Sequence, residues 1–197
     1  IDMTQDTTYS RLGRIFTSSE SCSINNMKVY THPKMSLTKR TGYDLLSLGR
    51  GDDSASGGAS TPSADREFNI TNVYCFGSIK NALYKSNGGR FVFKDCYIEG
   101  HEFSFRDSVT PELITLTLDN VTLSNINSPY AYGSAFEVSK IRAHNLKIDG
   151  TLLTSYAPTS GYIVNSVFNK AIPSEWSSID TSGSIVVNTD YSNAITP

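Results

Sequence analysis

Cleaving a glycosidic bond takes two carboxyl groups roughly 5–10 Å apart, one to deliver a proton and one to attack or to activate water. Asp107, Glu112 and Glu137 are acids placed near plausible surface loops, and Arg106 beside them can hold a substrate carboxylate or hydroxyl. Asp107 and Glu137 are the first choice as an acid–base pair, and Glu99 with Asp149 is the fallback. Asp119 and His144 also have the types for proton shuttling, but a ladder of alternating charge on the sheet surface is the preferred account of them. Tyr74, Tyr97, Tyr130 and Tyr132 are candidates for binding a sugar ring. Tyr74 and Tyr97 also suit an intersubunit contact, the preferred use, or a simple cross-strand pair.

Other chemistry is poorly supplied. Cys22, Cys75 and Cys96 are odd in number and lack the Cys-x-x-Cys spacing of zinc or redox sites. They read as free, apolar fillers, and neither a metal nor a cofactor is expected. Arg50-Gly51-Asp52 is too short a motif to use, and Asp52-Asp53 stands in a polar loop. Asn69-Ile70-Thr71 and Asn120-Val121-Thr122 spell glycosylation sequons; Asn120 falls at an inward corner of the repeat described next, and both are set aside.

The elements that must position these residues come from an internal repeat. Ile70–Gly77, Phe93–Gly100, Leu118–Asn125 and Ala143–Gly150 align on the polar residues Asn72, Asp95, Asn120 and Asn145. Asn26 anchors an earlier copy and Ser166 a degraded later one, so the separations run 46, 23, 25, 25 and 21, the first read as two units of 23. Apolar residues recur four and two positions before each anchor and one and three after it, with Asn169 the exception. Alternation that changes phase at the anchor means two short strands meeting at a corner. Asn and Asp tolerate the left-handed backbone such a corner needs and, stacked, can form an amide ladder.

A further strand per repeat is expected at Tyr43–Leu48, Ala82–Lys85, Phe103–Arg106, Ala135–Ser139 and Leu152–Ser155. Three short strands in about 23 residues cannot bury a face alone, whereas stacked coils enclose a core. The expectation is an all-β chain, a parallel β-helix solenoid of roughly six or seven coils. A β-sandwich would not put the columns in register, and the leucine-rich consensus is missing. The solenoid should run over 15–171, with 1–14 a lead-in or cap and 172–197 a cap or lead to a further domain, Trp176 plugging the last coil. Loops 49–65 and 107–112 would rise on either side of the short corner Ser86–Gly89, making a groove, and Tyr130 and Tyr132 would protrude elsewhere on 126–133.

Composition limits the partners. Lys and Arg total 17 against 19 Asp and Glu, a net charge of −2 that gives no basic excess for nucleic acid. No run of eighteen apolar residues suits membrane insertion. Ile1 follows no initiator Met or signal segment, and the chain reads as a piece of something longer.

The Φ-x-Asn-Φ-x-Φ-x-Gly copies at 70–77, 93–100, 118–125 and 143–150 resemble the right-handed β-helix of the pectin-lyase-like superfamily, over about residues 15–170. That superfamily holds pectinases, polysaccharide lyases and bacteriophage tailspikes. The Asn-Thr-Asp, Asp-Asp and Gly-His-Gly set of polygalacturonases and the Arg-x-Pro-x-x-Arg segment of pectate lyases are missing. Irregular coils rich in Ser, Thr and Asn look more like a phage tailspike or fibre section. That resemblance implies a homotrimer on the virion tail that binds, and in some members depolymerises, a bacterial cell-surface glycan. A secreted, free-standing polysaccharide hydrolase or lyase is the alternative, and a purely structural fibre segment is another.

Overall fold

The computed structural model describes residues 2–3, 11–15, 21–31, 43–48, 64–84, 88–100, 102–105, 111–124, 133–150, 152 and 157–187. Its strands are β1 (Asp2–Met3), β2 (Arg11–Ile15), β3 (Ser21–Thr31), β4 (Tyr43–Leu48), β5 (Glu67–Tyr84), β6 (Gly89–Gly100) and β7 (Glu102–Phe105). After these come β8 (Ile114–Ser124), β9 (Gly133–Phe136), β10 (Lys140–Asp149), β11 (Gly161–Val164), β12 (Val167–Phe168), β13 (Ile179–Asp180) and β14 (Ile185–Val186). Among the described residues helix is confined to two 3-10 turns, Pro111–Leu113 and Ser174–Trp176. The chain is all-β, and every strand pairing among the described residues is parallel.

Along the main sheet the order is β1-β3-β5-β6-β8-β10-β11-β13, so each strand lies beside its predecessor's copy from the previous repeat. The long strands are bent at one residue each. Asn26, Asn72, Asp95, Asn120, Asn145 and Asn165 all have φ between 51° and 57°, the left-handed region that Asn and Asp enter at least cost. Such a residue reverses the alternation, which is why apolar side chains at −4, −2, +1 and +3 all point to one interior. Phe68, Ile70, Val73 and Cys75 are buried, as are the matching residues of β6, β8 and β10. Those are Phe91, Phe93, Cys96 and Ile98, then Leu116, Leu118, Val121 and Leu123, then Ile141, Ala143, Leu146 and Ile148.

Two expectations about register are corrected. The 46 residues between Asn26 and Asn72 are not two units, because β3 pairs directly with β5, Ile24 opposite Ile70 and Met27 opposite Val73. At the later copy the corner residue is Asn165 rather than Ser166, since Lys147 pairs with Val167 and Ile148 with Phe168. The interior positions there are Gly161, Ile163, Ser166 and Phe168, and Tyr162 is exposed. Gly161 is required: a Cβ on it would sit 1.8 Å from the carbonyl oxygen of Ile141. Buried Ser166 meets its polar needs in place, its Oγ donating to the Val164 carbonyl at 2.8 Å and accepting from the Leu146 N–H at 3.0 Å. With that shift Asn169 no longer interrupts the interior columns.

Pairing also runs past residue 171. β13 pairs with β11 and β14 with β12, which places Gly183 (φ 69°) next to Asn165 in the corner column. Among the described residues seven corner positions therefore stack, at separations of 46, 23, 25, 25, 20 and 18 residues. The third strands are β2, β4, the end of β5, β7 and β9, with Leu152 in an isolated bridge. Their aromatic side chains carry the core onward: Phe93, Phe103, Phe136 and Trp176 meet edge to face at 5.6, 5.6 and 5.7 Å. Trp176 is 1% exposed, and the strands β13 and β14 follow it.

Candidate functional site

The corner column divides the outer surface of this sheet into two faces. On the side before the corner, one residue back, stand Thr71, Lys94, Asp119 and His144 in register. His144 Nδ1 lies 3.7 Å from Asp119 Oδ1, both side chains about half exposed. Glu67 and Arg90 pair similarly at 3.6 Å. These are solvated surface pairs of little energetic weight. The expected Asp119–His144 contact exists, but no other charged side chain among the described residues is seen to join it.

On the side after the corner, the column two residues on reads Lys28, Tyr74, Tyr97, Thr122 and Lys147. The column four residues on holds Tyr30 opposite Phe76, then Glu99 opposite Ser124 and Ser124 opposite Asp149. Tyr74, Tyr97, Glu99 and Asp149, assigned different roles from sequence, thus share one face. Tyr97 Oη donates to Glu99 Oε2 at 3.3 Å, and Lys147 Nζ donates to Asp149 Oδ2 at 2.8 Å. The Tyr97 hydroxyl is held above its ordinary pKa by burial first and then by the Glu99 carboxylate, which the hydrogen bond with Ser124 partly offsets. It is therefore a persistent donor.

Acids on outward strand positions are usually solvated. Instead Ser124 and Asp149 are buried and Glu99 is half-buried. Two strand spacings separate the acids' backbones, roughly 9–10 Å. Tyr74 and Tyr97 are opposite in register, yet Tyr97 stacks on Phe76 (5.4 Å), and Phe76 stacks on Tyr30 (5.3 Å). Phe76 therefore gives its faces to its neighbours and its edge to solvent. Sequence reading missed Tyr30 and Phe76, although both fall four residues after an anchor. Asn26, Lys28, Asn72, Tyr74 and Phe76 line a cavity of about 790 Å³ at this end of the face.

The first-choice pair is not assembled among the described residues. Glu137 is half-buried on the link between β9 and β10, not on the strand itself. Asp107, Arg106, Tyr130 and Tyr132 lie outside the described residues, as do most of loops 49–65 and 107–112, so the groove between them does too. Glu112 and Asp65 are described and exposed.

All three thiols are free. Cys75 pairs with Ile98 and Cys96 with Val121, and burial pushes the pKa of both thiols upward, which makes them poor nucleophiles. Among the described residues no three His, Cys, Asp or Glu side chains group to hold a metal. No described helix is long and apolar enough to cross a membrane.

Asn120 is exposed rather than inward, but its amide is engaged on both sides. Its Nδ2 donates to Asp95 Oδ1 at 2.7 Å and its Oδ1 accepts from Asn145 Nδ2 at 2.9 Å. With Asn72 Nδ2 donating to Asn26 Oδ1 (2.6 Å), these are segments of the expected ladder. Comparison of the chain with protein-family models, with curated proteins and with solved structures finds no match.

Proposed function

We propose that the chain is a section of a phage tailspike or tail fibre, a right-handed parallel β-helix of six or seven coils, that binds a bacterial surface polysaccharide. The handedness follows the rule that parallel strands of one sheet are joined right-handedly in about 98% of cases. One observation carries the binding reading: Tyr74, Tyr97, Glu99, Ser124, Lys147 and Asp149 stand on adjacent rungs of one rigid face. Rung spacing of about 4.8 Å repeats donors, acceptors and aromatic carbon at an interval commensurate with successive sugar rings. The same carrier would act on the virion tail as a homotrimer. Ile185, Val186 and Val187, exposed at the end of the described sheet, are apolar surface that such an assembly can cover.

A second reading, a free-standing polysaccharide hydrolase or lyase, draws on the two-rung separation of Glu99 and Asp149, which suits acid–base cleavage. Binding of labelled protein to bacteria that carry or lack their surface polysaccharide separates the two. The spike section binds one surface type as a trimer by light scattering, and Tyr97→Phe with Glu99→Gln weakens binding at least tenfold. The free enzyme is a monomer that releases oligosaccharides from soluble polymer. A trimer that neither binds nor cleaves would leave only a structural role.

A further inference from the structure

The face before the corner has a charge of its own. Five residues back from the corner its outward column reads Glu67, Arg90, Thr115 and Lys140, and three back Thr117 stands opposite Arg142. With Lys94 and Asp119 from the column one residue back, and His144 neutral, β5 to β10 present four cations there against two carboxylates. After the corner, Lys28 and Lys147 are balanced by Glu99 and Asp149, and the whole chain carries −2. Positive charge is therefore gathered on one face of a chain that has no basic excess.

Both carboxylates are engaged within the face. Glu67 Oε2 lies 3.6 Å from Arg90 Nη2 and its Oε1 accepts from Asn69 Nδ2 at 2.9 Å, while Asp119 Oδ1 lies 3.7 Å from His144 Nδ1. Lys140 and Arg142 are two residues apart on β10 and so point the same way, with Thr115 and Thr117 directly across on β8. Beyond Arg142, Tyr162 is opposite it on β11 and 39% exposed. Asp180 follows on β13, its Oδ1 accepting from the Ser182 N–H at 2.9 Å. Arg90 and Lys140 are two rungs apart, roughly 9–10 Å, and the rung between them carries a hydroxyl in place of a charge. A nucleic acid strand, charged about every 3.4 Å, would bring roughly three phosphates to each such cation. A polysaccharide with a carboxylate on every second sugar matches the two-rung interval and sets its neutral sugars against the threonines.

We infer that this strip binds an acidic polysaccharide whose carboxylates alternate with neutral sugars. Carboxylates meet Arg90 and the Lys140–Arg142 pair, hydroxyls of the intervening sugar meet Thr115 and Thr117, and a sugar ring rests on Tyr162. The inference goes beyond the glycan-binding reading above, which concerns the other face.

The test is calorimetric titration of the whole chain with hyaluronan and chondroitin oligosaccharides, each beside its carboxyl-reduced counterpart, and with single-stranded DNA. A bacterial glycan array is run in parallel. At least one acidic glycan should bind, and reducing its carboxylates should weaken it about tenfold, the worth of a charge-assisted hydrogen bond. Lys140→Met and Arg142→Met should each do the same to the acidic form. Lys170→Met, which removes an exposed charge past the end of β12, should change affinity less than about twofold, and unchanged melting curves would show all variants folded. Equal affinity for acidic and reduced forms, binding confined to neutral glycans, or an equal loss from Lys170→Met overturns the strip and leaves glycan binding standing. Binding that falls with Tyr97→Phe and Glu99→Gln but not with Lys140→Met belongs to the other face and overturns it too. Tighter binding of the DNA than of any acidic glycan would make the strip a nucleic-acid surface instead. No binding to any glycan overturns both readings.

Discussion

The two outer faces on either side of the corner column share a wall and a backbone, yet they put opposite demands on their charges. Before the corner, Asp119 and His144 are 45% and 59% exposed and 3.7 Å apart; after it, Asp149 is 8% exposed and 2.8 Å from Lys147. Water competes for the first pair and is largely kept from the carboxylate of the second. The sequence pattern gives both faces the same appearance, outward polar residues every second position. A candidate site is distinguished by burial of polar groups that alternation alone would leave wet.

The largest expected effect ignores this distinction and so calibrates it. Leu118 lies before the corner and Val121 after it, both essentially unexposed. An aspartate at either place is an uncompensated charge in the common core, costing several kcal/mol. Neither Leu118→Asp nor Val121→Asp should give a cooperative melt by circular dichroism. Soluble, cooperative folding of either would mean the interior columns are wrongly drawn.

Next in size is a direct contrast of the faces. Lys147→Met leaves the buried Asp149 carboxylate without its cation and should cost about 2 kcal/mol, less than a fully buried pair because Lys147 is half exposed. His144→Ala leaves an exposed Asp119 and should change stability by about 0.5 kcal/mol or less. Urea denaturation of both variants measures the gap; equal costs would erase the difference between the faces.

How much of this was legible beforehand depended on whether a signal was local. Four interior columns over Phe68 to Ile148 were readable because period-two alternation and an Asn or Asp at each corner are properties of adjacent residues. The corner at Asn165 was misplaced by one because its coil puts Gly161 and Ser166 where apolar residues belong. Ser166, with Val164 two residues before it and Val167 one after, then mimicked an anchor. Direct pairing of β3 with β5 was hidden by arithmetic, since 46 is twice 23. Site residues were named as columns, but alternation marks Ser124 and Asp149 only as outward positions and does not encode their burial. Ring partners were likewise out of reach: Tyr97 stacks diagonally on Phe76, a choice made by side-chain packing rather than register.

A smaller effect tests the border between the faces. Asp95 accepts from Asn120, but a carboxylate has no N–H to hand on to Asn72 in the preceding rung. Asp95→Asn supplies the missing donor and should stabilise the chain by about 1 kcal/mol. For a domain of this size that is roughly 2–4 °C in melting temperature. A lower melting temperature would argue that the carboxylate serves some purpose the amide cannot.

The smallest expected effect lies in alkaline solution and belongs to the second face alone. Burial and the Glu99 carboxylate hold the Tyr97 pKa above its ordinary 10.0, so the folded chain keeps this proton more tightly than the unfolded chain does. The linkage is therefore fully stabilising below pH 10 and is lost as pH rises from 10 through the folded value. Cys22, Cys75 and Cys96, raised from 9.0 by burial, act in the same direction from pH 9 upward and are common to wild type and variant. At pH 8, Tyr97→Phe removes the 3.3 Å bond to Glu99 and should melt a few degrees below wild type. As pH rises from 9 to 11 both should lose stability, wild type faster, so that the gap between their melting temperatures narrows. A gap that stays constant over that range would mean the Tyr97 hydroxyl is as wet as the charges before the corner, and the two faces would no longer differ where the candidate site needs them to.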